Sequence, residues 1–114
     1  MKLSAPFTAL ALLTSSAFGF EVITFKDDNC GGESKTINVY DNTCRNSNIL
    51  SRTRSFQVQS YGGKSQRAAF YTDTSCYPTN WWIDFWADGG SDQFLKGRCI
   101  NIGHDIHAFG SRAA

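Results

Sequence analysis

From residue 20 onward, apolar and polar positions alternate in short runs, each closed by a cluster of Gly, Asn, Asp or Ser. Alternation with a period of two, in runs rich in β-branched and aromatic residues, predicts strands. Strands are expected over 21–26, 34–40, 55–61, 68–72, 81–87, 94–95 continued by 99–102, and 106–109. Turn-forming clusters fall at 27–32, 41–48, 61–64, 88–92 and 103–105. No segment after residue 19 carries a helical period. The fold class is therefore all-β, with many short strands in a sandwich or barrel.

The first nineteen positions follow a different pattern. Lys2 precedes Pro6 and an apolar stretch, 7–13, broken only by Thr8; then Thr14, Ser15 and Ser16 lead to Ala17, Phe18 and Gly19. A basic start, a short apolar segment and a small-x-small ending are the layout of a secretory signal. The stretch is too short to span a bilayer, and no second one follows, so no transmembrane segment is expected. Residues 1–19 are read as an export signal and 20–114 as one secreted, extracellular domain.

A domain of that size buries a modest core and needs covalent help. Cys30, Cys44, Cys76 and Cys99 supply it: an even number of cysteines in a short exported chain reads as a disulfide framework. The wide spacings lack the CxxC or HxxxH pairs of a zinc site. Without Lys2 the chain is charge-balanced, which gives no general attraction for nucleic acid or anionic membrane. The charges are nevertheless segregated. Arg45, Arg52, Arg54, Lys64 and Arg67 lie in a stretch without acids, and Asp73, Asp84, Asp88 and Asp92 in one without bases. Two solvated faces of opposite sign are the expectation.

The two halves of the domain repeat one another. Phe25 stands five residues before Cys30, as Tyr71 does before Cys76; each half then runs through a strand, a turn-rich segment with its second cysteine, and a closing strand, 56–58 in one and 106–108 in the other. The second copy is about nine residues longer between its cysteines, around the Trp-rich segment and Gly89-Gly90. The simplest pairing is Cys30–Cys44 with Cys76–Cys99, one staple per half, although four cysteines pair in three ways.

These positions resemble the βγ-crystallin fold. Its motifs open with an aromatic, four residues, a second aromatic, one residue and Gly; Phe25, Cys30 and Gly32 hold those places, Cys30 replacing the second aromatic, and Ser34 stands near a later serine. Residues 51–60 resemble the family's third strand and 69–71 the opening of its second motif, where Pro78 replaces the expected Gly. The resemblance implies two Greek-key motifs forming a small disulfide-stapled β-sandwich. It also implies kinship with small secreted microbial members, killer-toxin-like or fungal effector-like. Many members bind calcium just before the third strand. Of that pattern residues 50–55 keep only Ser55, and the second half offers only Asn101 and Asp105 as oxygen donors, so no cofactor is expected.

The most unusual segment is 81–88. As a strand it presents Trp81, Ile83, Phe85 and Ala87 to the core and Trp82, Asp84, Trp86 and Asp88 to the other side. Two indoles roughly 13 Å apart, interleaved with carboxylates, suit stacking on sugar rings and hydrogen bonds from sugar hydroxyls. A covered, structural face is the competing reading. Arg52 and Arg54, read as sharing a face beside Tyr61, form a second candidate patch for an anionic partner. Histidine is limited to His104 and His107, and no nucleophile elbow, phosphate loop or HExxH stands in the chain. The expectation is a non-enzymatic effector-like or toxin-like protein that binds an extracellular glycan or cell-surface protein on the wall or membrane of another organism. An inert structural or stress-related protein is the first alternative, and a small ribonuclease-like hydrolase the second.

Overall fold

The computed structural model describes residues 19–90 and 92–114; the export signal expected over 1–19 lies outside them except for Gly19. Eight strands form in chain order: β1 (Phe20–Phe25), β2 (Ser34–Val39), β3 (Thr43–Arg45), β4 (Thr53–Ser60), β5 (Gln66–Tyr71), β6 (Trp82–Trp86), β7 (Ile100–Ile106) and β8 (Ala108–Ala113). A 3-10 turn, Asp28–Cys30, follows β1. Two four-stranded antiparallel sheets, ordered β2-β1-β4-β7 and β3-β8-β5-β6, pack face to face as a disulfide-stapled sandwich.

Read from the other end, the second sheet is β6-β5-β8-β3, which is the first with each strand number advanced or set back by four. The halves β1–β4 and β5–β8 thus have the same path. Each keeps its first, second and fourth strands in one sheet and sends its third across to the other. The registers match where Phe25 pairs with Ser34 and Ser55 and Tyr71 with Trp82 and Ala108; they part at Glu21, where a bulge in the β1–β4 pairing, absent from β5–β8, brings Ser60 opposite. Phe56 is accordingly the counterpart of Phe109, three residues beyond the alignment of 56–58 with 106–108 made on the sequence.

That exchange of third strands corrects the expected disulfides. The bonds are Cys30–Cys99 and Cys44–Cys76. The repeat does match Cys30 to Cys76 and Cys44 to Cys99, but β3 and the segment before β7 lie against the opposite half. Each first-loop cysteine therefore meets the second cysteine of the other half.

Phenylalanine fills the space between the sheets. Phe70 is fully buried and lies within ring contact of Phe20, Phe56, Phe85, Phe94 and Phe109, the closest being Phe56 at 4.5 Å between centroids. Phe94 enters this core from a loop and not from the strand expected at 94–95. Two further expectations fail at the sheet edges. The stretch 41–48, read as a turn, contains β3, and β7 runs through 103–105, kinked where Gly103 has a φ of 82°. Both strands are edges with one pairing partner, and apart from Ile106 their residues are exposed or half-buried, without the sustained alternation with core positions that reveals a half-buried strand.

Among the described residues no helix is long and apolar enough to cross a membrane.

Candidate functional site

Because the halves share one strand order, positions where they differ in character stand out. On the outer side of the first sheet, β1 and β2 present Glu21, Ile23, Phe25 and Ser34, Thr36, Asn38. The corresponding positions of the second sheet are Arg67, Ala69, Tyr71 and Trp82, Asp84, Trp86. On the adjoining strand, Gln57 and Ser60 of β4 correspond to Gly110 and Arg112 of β8. A mostly small and polar surface has thus become one built from indoles and guanidinium groups around a floor of Ala69 and Gly110.

The alternation expected for β6 holds within the strand. Phe85 and Ala87 enter the core and Ile83 packs against it, whereas Trp82, Asp84 and Trp86 stand half-buried on the outside. Trp81 departs from it. It precedes β6, is partly exposed, and stacks on His104 with ring centroids 3.9 Å apart.

The outer face is cross-linked. Arg67 donates from Nε and Nη2 to the two carboxylate oxygens of Asp84 (3.2 and 2.9 Å), and Arg112 Nη2 donates to Asp84 Oδ2 (3.1 Å). The guanidinium of Arg67 lies 4.4 Å from the centre of the Trp86 ring, and that of Arg112 lies 5.8 Å from Trp82. Tyr71 stacks on the other side of this row against Trp82 (6.0 Å, 16°). A carboxylate between two guanidinium groups, each over an indole, is a charge-assisted network that fixes both aromatic side chains. The hydrogen bonds to Asp84 also hold the Arg67 guanidinium protonated more firmly than usual.

Two consequences revise the sequence reading. Asp84 is occupied by arginine and is not an open acceptor for sugar hydroxyls. The basic and acidic stretches of the chain also meet here, where Arg67 of one pairs with Asp84 of the other. Asp88 turns away into its own loop, accepting from Gly90 N at 3.0 Å. It contributes, with Lys64, Trp86 and Gly90, to a shallow hollow of about 270 Å³. Beside it, Asp92 accepts from Trp86 N (2.7 Å), which satisfies a donor on the edge strand.

Arg52 and Arg54 lie together at the far end of β4, but they do not make a basic patch. Arg52 pairs with Asp27 (3.1 Å), and Arg54 bridges Asp28 (3.0 Å) and Asp105 (2.8 Å). Two cations face three carboxylates. Tyr61 is not their neighbour; it follows the other end of β4 and lies under Lys96. The calcium candidates are engaged as well. Asn101 Oδ1 accepts from Asn29 N (2.6 Å), its Nδ2 donates to Asn29 Oδ1 (2.9 Å), and Arg54 holds Asp105. With an arginine between the carboxylates, this donor set does not fit a divalent cation. Hydrogen bonding to Arg54 depresses the Asp105 carboxyl below the usual carboxylate range.

The hairpin after β1 is tied to β4 by its own backbone. Gly32 has a φ of 75°, and a Cβ there would lie 2.5 Å from Asp27 Oδ2. Ser55 Oγ accepts from Cys30 N and donates to Asp27 O. The counterpart of Ser55 is Ala108, so the second half lacks this hydroxyl; there, His107 N donates to Tyr71 O and the His107 Nδ1 lies 2.9 Å from Thr72 O. His104 is stacked on Trp81, and His107 is spent on the backbone.

Arg67, Tyr71, Gly110 and Arg112 belong to this face, and of these only Arg67 was named on the sequence as part of a charged segment. Arg67 stood in the basic stretch, and the alternation of β5 places it outward. Its pairing with Asp84 depends on strand register, which composition does not encode. Comparison with family models, with curated proteins and with solved structures finds no match to this chain.

Proposed function

We propose that the chain is a non-catalytic extracellular binding protein, effector-like or toxin-like, that engages the wall, membrane or a surface protein of another organism's cells. Its contact surface in this reading is the outer face of the second sheet, centred on Trp82, Asp84 and Trp86 with Arg67 and Arg112. One observation carries it: two halves with the same strand order differ at every one of these positions, where indoles, guanidinium groups and a carboxylate on one outer face replace a mostly small and polar set. The Ser, Thr and Asn of the first sheet show that an outer strand of this fold does not require indoles there. Tryptophan and arginine are also the side chains most enriched where binding energy is concentrated. The strand order and exchanged third strands support the crystallin-like kinship suggested by Phe25, Cys30 and Gly32. Two disulfides in so small a domain support an oxidising, extracellular setting.

The test is retention of the labelled, oxidised protein on intact cells and isolated walls of bacteria, fungi and plants. Retention on at least one surface, lost in a Trp82→Ala variant that still melts cooperatively, is the expected result. Absence of retention on all of them, or retention indifferent to Trp82, overturns the reading.

A further inference from the structure

Next to the indole row, the same face contains a groove of about 300 Å³ between β3, β8 and the loop that carries Cys76. We infer that this groove seats an acidic sugar, its anionic group on Arg112; the inference rests on the proposed binding role of this face and names the ligand class.

The groove exists because Gly110 is its floor. A Cβ there would lie 3.3 Å from both Cys76 Sγ and Tyr71 Cε1, and the first half carries Gln57 at the equivalent place. The Cys44–Cys76 bond and Tyr71 form an apolar wall. Arg112 is the one charged residue lining the groove, and its side chain is half exposed (51%). Its Nη2 is spent on Asp84, which leaves Nε and Nη1 to face a ligand. Asp84 is shared between two guanidinium groups, so the trio of Arg67, Asp84 and Arg112 keeps one positive charge at neutral pH.

The other polar side chains of the lining are neutral, and the Ser111 hydroxyl among them donates to Gln66 Oε1. Asn42 stands one step beyond the Thr43–Ser111 pair, opposite Arg112. Its Oδ1 accepts from Gln66, which leaves Nδ2 as a donor. Thr43 Oγ1 donates to Tyr40 O, which leaves its oxygen as an acceptor. One cation, one amide donor, one hydroxyl acceptor and an apolar wall match a ring that bears one anionic group among several hydroxyls. A bare phosphate would call for several converging donors, and a neutral sugar would leave the two guanidinium groups balanced by the one carboxylate of Asp84. The 5.8 Å contact between Arg112 and Trp82 links the groove to the indoles, so occupancy should change tryptophan emission.

The experiment is calorimetric titration of the oxidised protein with three oligosaccharides of equal length: a hexuronic-acid oligomer, its neutral hexose counterpart and a sulfated one. Binding of a charged oligomer and not the neutral one is expected, with the preference between the two telling carboxylate from sulfate. Arg112→Gln should weaken it about tenfold or more, as for loss of a charge-assisted hydrogen bond, and Arg112→Lys by less. If Arg112→Gln fails to melt cooperatively, Asn42→Asp replaces it, placing a carboxylate across the groove and weakening binding without touching Arg112. Equal binding of the neutral oligomer, or a folded variant with unchanged affinity, overturns the acidic-sugar inference while retention on cells still stands. No heat with any oligomer overturns the inference alone if Trp82-dependent retention persists, and both readings if it does not.

Discussion

Cys30 is bonded to Cys99, and the internal twofold carries this pair onto Cys76 and Cys44. Both bonds therefore run from one half of the sandwich to the other. A protease site placed in the turn at 62–65, between β4 and β5, makes this visible. After one cut there, the halves should migrate as a single species without reductant and as two species with it. Staples confined to each half would release the fragments in both cases. The bonds span 69 and 32 positions, and on chain-entropy grounds each contributes about 4 kcal/mol. Replacing Cys30 and Cys99 together by Ser should cost most of that in a urea titration.

Phe70 touches the rings of five other phenylalanines drawn from both sheets and a loop. Truncation to Ala should cost about 3–5 kcal/mol, the range for a large aromatic removed from a packed core. Chemical denaturation measures it, and a loss below about 1 kcal/mol would mean that the sheets pack differently.

How much of this was legible in the sequence depends on which side of a residue is dry. Central strands such as β1, β4 and β5 announce themselves, because one face is core and the other is not. β3 and β7 are edge strands whose residues meet water on most sides, so 41–48 and 103–105 read as turns. The repeat was visible in the spacing of Phe25 to Cys30 and of Tyr71 to Cys76. Its consequence for the disulfides was not, since only topology says that the third strands change sheets. The indole row at Trp82 and Trp86 was likewise plain from alternation. Arg112, which lies two strands away and shares Asp84 with Arg67, becomes its neighbour only through register.

Asp84 is the shared anion of the outer face, with its side chain 18% exposed. Asp84→Asn would leave Arg67 and Arg112 close together without a counter-charge and replace three charge-assisted hydrogen bonds by weaker ones. A loss of about 1–3 kcal/mol is expected. Freed from the clamp, Trp82 and Trp86 should gain access to acrylamide, seen as stronger quenching in the folded variant. Unchanged quenching would mean that the indoles are held by packing alone and that the guanidinium groups do not position them.

Arg54 joins the two halves a second time, through charge, and acid should undo it. Its hydrogen bond depresses the Asp105 carboxyl in the folded state; Asp73 is also depressed, by hydrogen bonds from Thr79 and then Asn80. A carboxyl whose folded pKa lies below its unfolded value contributes stability that is complete above the unfolded value, about 3.9 for aspartate. That contribution is lost as pH falls through the folded one, because the unfolded chain takes up the proton first. Arg54→Met removes the share that depends on Asp105 and leaves that of Asp73. The variant should therefore melt below the parent at neutral pH, with the gap in Tm narrowing on acidification and nearly closing once Asp105 is protonated in both. Melting curves from about pH 7 to pH 2, read beside the Asp105 carboxyl resonance by NMR, follow both quantities. A gap that stays constant across that range would show that Arg54 acts through its aliphatic packing and not through its charge.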